Sequence, residues 1–198
     1  MVYHIDENGV TALEPTSFDS LNLTEAEIEE WIVETPSILG EDLLVVASQY
    51  AKFDRTAERP DVLALDPDGK LVIIELKRDS ADKTTDLQAI KYASYCSTIS
   101  AEELQQDYRA FWNNRRDEDD QLTPEAVGEQ FSEFLGEDVA TTEDGYADFV
   151  LDDRPRILLA AGASARRLQP QSYGSNVSTE WASPVSNWMS TNVARRCS

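Results

Sequence analysis

The segment from Asp61 to Lys77 constrains this chain more than any other. Residues 61–66 and 70–77 are rich in apolar and β-branched side chains, the composition of strands. Between them stands Asp66-Pro67-Asp68-Gly69. Proline presets the first turn position and glycine tolerates a positive φ, so this is a turn. A three-residue loop, Pro67-Asp68-Gly69, fits a type I turn closed by a left-handed glycine. Asp66 then faces Lys70, and partner numbers along the hairpin sum to 136. Asp61 and Glu75 obey the same sum. They become direct cross-strand neighbours on one face, with Cβ atoms about 5 Å apart. A two-residue loop would move every pair by one residue and put the two carboxylates on opposite faces. Loop length therefore decides whether the carboxylates meet.

Glu75 and Lys77 are two residues apart on a strand and share that face, with Leu71 and Ile73 further back. Val72, Ile74 and Leu76 point the other way. Both faces are apolar, so the strand reads as central and covered on both sides. Charged groups at the end of such a strand cost energy unless they are paired or bind a metal. Asp61, Glu75 and Lys77 thus read as a one-strand-plus-one metal site. The plainer alternative is a Glu75–Lys77 ion pair, with Asp61 merely opening a strand.

Downstream, Asp86-Leu87-Gln88-Ala89-Ile90-Lys91-Tyr92-Ala93-Ser94-Tyr95 has helical period, and the helix is expected over about 85–97. The run RPDVLALDPDGKLVIIELKR followed by LQAIKYASY resembles the PD-(D/E)XK nuclease superfamily. It is most similar to the C-terminal nuclease domain of archaeal NucS-type endonucleases and their single-domain relatives. The upstream EEWIVETPSILGEDLLVVASQY also resembles the first helix and strand of that group. The resemblance covers roughly residues 22–162. It implies an α/β, restriction-endonuclease-like core: a central mixed four-stranded sheet flanked by helices, in the order αβββαβ. It further implies that Asp61 and Glu75 hold a divalent metal and that Lys77 assists the attacking water. Gln88 matches the helix glutamine of the pattern, although Thr85-x-x-Gln88 is equally a capping box. Glu30 or Glu34 on the first helix matches an accessory carboxylate of some members, against the plainer reading of both as exposed helix residues.

Two carboxylates with the Leu76 backbone carbonyl suit a hard ion, Mg²⁺ or Mn²⁺. No soft ligand set competes with them. His4 is the lone histidine, Cys96 falls in the expected helix as core, and Cys197 lies in the tail. Arg59 and Arg78 flank the site as candidate phosphate contacts or as solvated surface residues.

A chain of 198 residues can bury a real core as one domain. No stretch approaches the ~18–20 apolar residues of a transmembrane helix. The opening MVYHIDENGV lacks the basic and apolar regions of a signal peptide. Two cysteines in such different contexts argue against a disulfide scaffold, so the expected location is cytoplasmic. The net charge of −21 is unusual for a chain expected to meet DNA. With 38 acidic residues and 5 Lys against 12 Arg, it resembles proteins of salt-loving archaea. At ~1 M salt the Debye length is only ~3 Å, so long-range repulsion is screened. The same salt removes most of the counterion-release gain, leaving binding to local contacts. The competing reading is an acidic interaction module that never meets nucleic acid.

Residues 1–21 read as a polar lead without pattern. NucS-type proteins carry a DNA-binding domain ahead of the nuclease, and nothing in this lead implies their mismatch or junction specificity. Thr24-x-x-Glu27 opens a helix over 24–34 that ends before Pro36, and residues 43–51 read as a strand. Ser100 caps a helix to about Asn113, and Thr123-Pro124 opens another to about Leu135. This pair, residues 100–135, is a helical insertion before the last strand, 156–161. Its Phe111, Trp112, Phe131 and Phe134 are expected to pack rather than to stack on bases. Residues 1–153 hold 37 acidic and 11 basic residues, whereas 154–198 hold one acid and six arginines. Residues 163–198 show no helix or strand period. Either the tail is a flexible basic arm, or a frame shift near Gly162 has replaced an amphipathic helix and strand.

The sequence therefore leads to a metal-dependent endonuclease-like hydrolase of DNA, single-stranded and branched forms included, acting in repair or defence. No membrane partner is expected, and a homodimer is an open alternative. The other readings are a catalytically silent module that binds nucleic acid or protein, and a truncated product without function.

Overall fold

A computed structural model describes residues 2–7, 9–13, 18–50, 59–77, 98–136, 139–161 and 178–181. The helix expected over 85–97 lies outside the described residues. Among those described, a mixed sheet carries the fold. It is built from β3 (Leu44–Ser48), β4 (Val62–Leu65), β5 (Lys70–Lys77), β8 (Asp152–Ala161) and β9 (Ser178–Trp181), in that spatial order. β3, β4 and β5 are mutually antiparallel, whereas β8 runs parallel to β5 and β9 parallel to β8. The expected four-stranded mixed sheet is present as β3-β4-β5-β8. β9 extends it from within the tail, where Ser178-Thr179-Glu180-Trp181 offers no apolar alternation and pairs through its backbone.

The β4–β5 hairpin has the register that a three-residue loop requires. Val62 pairs with Ile74, Leu63 with Ile73, Ala64 with Val72 and Leu65 with Leu71. Asp66 N–H donates to Lys70 O at 2.9 Å, and Gly69 N–H donates to Asp66 O at 3.0 Å. Gly69 has φ +75°, open to glycine at little cost. The Asp66 side chain reinforces the turn, its Oδ1 accepting from the N–H groups of Asp68 and Lys70.

Both faces of the hairpin are buried, as its two apolar stripes demand. On one face, Val62, Ala64, Val72, Ile74 and Leu76 pack with Ile28, Ile32 and Val33 of α1 (Glu25–Glu34). Thr24 and Glu27 form the expected capping box on that helix. On the other face, Leu63, Leu65, Leu71 and Ile73 pack with Leu104 and Tyr108 of α2 (Ala101–Asn113) and with Val127 and Phe131 of α3 (Pro124–Leu135). The helical insertion is thus the layer that covers this face. Phe131 is fully buried and meets Tyr108 edge to face at 5.2 Å. Phe111 and Trp112 are partly buried against the same core, so these aromatics pack as expected. No helix among the described residues is long and apolar enough to cross a membrane.

Two small hairpins depart from the sequence reading. β1 (Val2–Asp6) and β2 (Gly9–Leu13) pair antiparallel within the supposedly patternless lead. Tyr3 and Ile5 alternate with polar His4 and Asp6, a strand period that the reading of the lead passed over, and both are exposed. β6 (Ala140–Thr141) and β7 (Ala147–Asp148) are too short for a periodic signal. Gln105, fully buried on α2, holds them. Its Oε1 accepts from Ala147 N–H and its Nε2 donates to Ala147 O, both at 2.8 Å. The side-chain amide thereby acts as one more strand residue beside β7. Gly128 lets α3 approach the same hairpin: a Cβ there would stand 2.4 Å from Gly145 O.

Removing the Gln105 amide strands a buried N–H and a buried C=O, at about 1–3 kcal/mol each. Gln105→Ala should accordingly lower the urea midpoint markedly. Gln106→Ala, on the exposed side of the same helix, should stay within about 0.5 kcal/mol of wild type. Equal midpoints for the two variants would contradict the clamp.

Candidate metal centre

The end of β5 and the approach to β4 form the candidate site, and ladder arithmetic shows why. Even-numbered residues of β5 turn their N–H and C=O toward β4, as the bond from Asp66 N–H to Lys70 O shows. The β4–β5 ladder ends at Val62↔Ile74, and Asp61 stands in a bend just beyond it. The Leu76 N–H donates to Asp61 Oδ2, at 2.6 Å. The carboxylate of Asp61 is therefore pinned to the strand that carries Glu75.

Glu75 is only 3% exposed. Leu71 and Ile73 lie in the core beneath α2 and α3, and strand alternation puts Glu75 on that face. Leu63 and Leu65 of β4 lie there too, in step with Asp61. Asp61 thus reaches β5 at the Leu76 N–H, next to buried Glu75 along that strand. Lys77 closes β5 with its backbone paired to Ala161. Arg59 is exposed beside buried Pro60. Gln88 and Arg78 lie outside the described residues, as does the side chain of Lys77.

Of the α1 glutamates, Glu29 is the one on which the charge of Asp61 acts. Glu30 is engaged elsewhere, accepting two bonds from the Arg115 guanidinium at 2.6 and 2.8 Å. Those bonds hold its carboxyl below the usual range. Glu34 is exposed. Glu29 instead accepts from Gln49 Nε2 at 2.7 Å, just beyond β3. Burial pushes the Glu29 carboxyl up, and the nearby charges of Asp61 and Glu30 push the same way. Hydrogen bonds from Gln49 and Ser48 oppose the rise. Gln49 itself has φ +48°, and its N–H donates to Asp61 O at 2.9 Å. A left-handed non-glycine residue costs of order 1–3 kcal/mol and persists only where its surroundings enforce it. One such residue here ties α1, β3 and Asp61 together. Helical period could have singled out Glu29, which lies one turn before buried Val33 on the flank of the apolar stripe.

The donor set is all oxygen, which suits a hard ion such as Mg²⁺ or Mn²⁺. Among the described residues no group of three or more His, Cys, Asp or Glu side chains is gathered closely enough to hold a metal by itself. A bound ion would rest on Asp61, Glu75 and the Leu76 carbonyl. His4 sits apart in β1.

The raised pKa of Glu29 has a definite sign. Folding disfavours its charged form, so Glu29 detracts from stability at pH above its folded pKa. That effect fades as pH falls through the folded pKa and is gone below the unfolded value. Glu29→Gln, which keeps an oxygen for Gln49, should raise the urea midpoint at pH 7 and lose the advantage in acid. A midpoint difference that stays constant with pH would contradict this electrostatic account.

Comparison with known proteins returns no match: no family model fits the chain, and neither a curated protein nor a solved structure is similar to it.

Proposed function

We propose that this chain is a metal-dependent nuclease that hydrolyses DNA phosphodiester bonds. The observation that supports the reading is Asp61 Oδ2 accepting from the N–H of Leu76, the residue next to buried Glu75 on β5. Asp61, Glu75 and the Leu76 carbonyl would hold Mg²⁺ or Mn²⁺. When bound, the ion supplies Lewis-acid polarisation of a phosphate oxygen and a lowered pKa for water. Lys77 orients that water or offsets charge growing on the phosphate. Arg59 and Arg78 contact flanking phosphates, and Gln88 assists from the following helix. Glu29 adds negative charge at the edge of the site, favouring a cation there.

The net charge of −21 makes the approach of DNA unfavourable at low ionic strength. Molar salt screens it over a few ångströms. Activity is therefore expected to rise toward molar KCl. A second reading, a non-catalytic module of the same architecture, has one observation on its side: no cluster of three acidic side chains among the described residues.

Cleavage of a labelled panel of single-stranded, duplex and branched DNA, in molar KCl with and without Mn²⁺, separates the two. The nuclease reading expects cleavage only with the metal. Asp61→Ala, Glu75→Ala and Lys77→Ala should each lose more than the about 10–100-fold typical of removing an outer partner of a metal site. Full activity in purified Glu75→Ala protein would sink the mechanism, and an inert wild-type protein that binds DNA would favour the second reading.

A further inference from the structure

We infer that Gln49 is a positioning residue for Asp61, which rests on the reading above of Asp61 as a member of the site. Asp61 stands in a bend, beyond the last pair of β4 with β3, Ser48↔Val62, and its last pair with β5, Val62↔Ile74. Neither ladder fixes it. Its carbonyl accepts from the Gln49 N–H at 2.9 Å, and its carboxylate accepts from the Leu76 N–H at 2.6 Å. Asp61 is thus held from both sides, at the backbone by the residue that follows β3 and at the side chain by β5.

Gln49 is itself held. Its φ of +48° is left-handed, a conformation that persists in a non-glycine residue only where its surroundings enforce it. Among the described residues Asn22 is the other non-glycine with a positive φ, and the short amide of asparagine suits that region. Glutamine is longer and has no such preference. Its anchor is at the far end of the side chain, where Nε2 donates to Glu29 of α1 at 2.7 Å. Strand alternation would turn Ser48 and Gln49 to opposite faces, yet both bond Glu29. Tyr50 then enters the core of the other face with Leu63 and Ile73, and its hydroxyl donates to Asp107 of α2. Gln49 is therefore a strap, its side-chain amide fastened to α1 and its backbone N–H to the Asp61 carbonyl. Glycine would take the same backbone freely but has no amide to fasten it.

The test is Gln49→Gly in the full chain, labelled with ¹⁵N and ¹³C and free of metal. In wild type, a through-hydrogen-bond coupling should join the Leu76 amide nitrogen to the Asp61 carboxyl carbon. In Gln49→Gly the coupling should disappear, and the Leu76 amide should exchange about tenfold faster, as expected for a lost bond to a charged acceptor. The urea midpoint should stay near that of wild type, because glycine accepts the left-handed backbone. Glu29→Ala cuts the strap from its other end and should also abolish the coupling. Glu29→Gln, which leaves an oxygen for Gln49, should keep it. Asn22→Gly relieves the same backbone conformation away from the site and should leave the coupling intact. Cleavage of DNA with Mn²⁺ should fall about tenfold or more in Gln49→Gly, the usual effect of removing a partner that orients a metal-site residue. A merely structural role would lower the midpoint and leave the coupling in place, and that result would overturn the inference. So would a wild type without the coupling, or a Gln49→Gly protein that loses it and cuts DNA at the wild-type rate. Wild-type protein that shows the coupling but cuts no DNA would remove the nuclease reading, and loss of the coupling in Gln49→Gly would then leave the hold of Gln49 on Asp61 standing.

Discussion

The turn at Asp66–Gly69 governs the rest of the structure. Gly69 at positive φ closes a three-residue loop, and Asp66 fixes the loop through two backbone N–H groups. That loop sets the phase of β4 against β5 over its whole length. The phase decides which apolar stripe meets α1 and which meets α2 and α3. It also sets where Asp61 meets β5, at the Leu76 N–H. Core and candidate site therefore rest on the same few backbone torsions, at the far end of the hairpin from the carboxylates.

The two ends of the hairpin treat buried acids differently. Asp66 is 7% exposed, and its neighbours account for it: two N–H groups on Oδ1 and Arg156 Nε at 3.6 Å from Oδ2. Arg156 also donates to Glu41. At the other end Asp61 accepts from the Leu76 N–H, and Glu29 is raised by burial and by the charge of Asp61.

Much of this is legible in the sequence, and for identifiable reasons. Periodicity, caps and turn chemistry are local, so α1, α2, α3 and the β4–β5 hairpin stand close to their expected places. The β4–β5 register is legible because hairpin pairing is arithmetic. Glu29 is not, because its neighbours Gln49 and Asp61 come from other elements and only packing brings them together. The β1–β2 ribbon carries only a short alternation, Tyr3 and Ile5 against His4 and Asp6, within a polar lead. β6 and β7 give none because two residues carry no period; a buried glutamine on a distant helix holds them. β9 is hidden because its four residues carry no apolar alternation.

The bulge in β3 has a further consequence. The register of β3 on β4 slips between Val45 and Ala47, and Trp112 of α2 donates its indole N–H to Val45 O at 3.0 Å. Among the described strands β3 is the outermost on its side. An outermost strand with evenly spaced amides is a template for the strand of another molecule. The slip breaks that spacing, and the indole occupies one of the carbonyls a newcomer would need. Salt concentrated enough to screen a charge of −21 also removes the repulsion that keeps copies apart. The irregularity in β3 guards against self-association by geometry, which salt does not weaken.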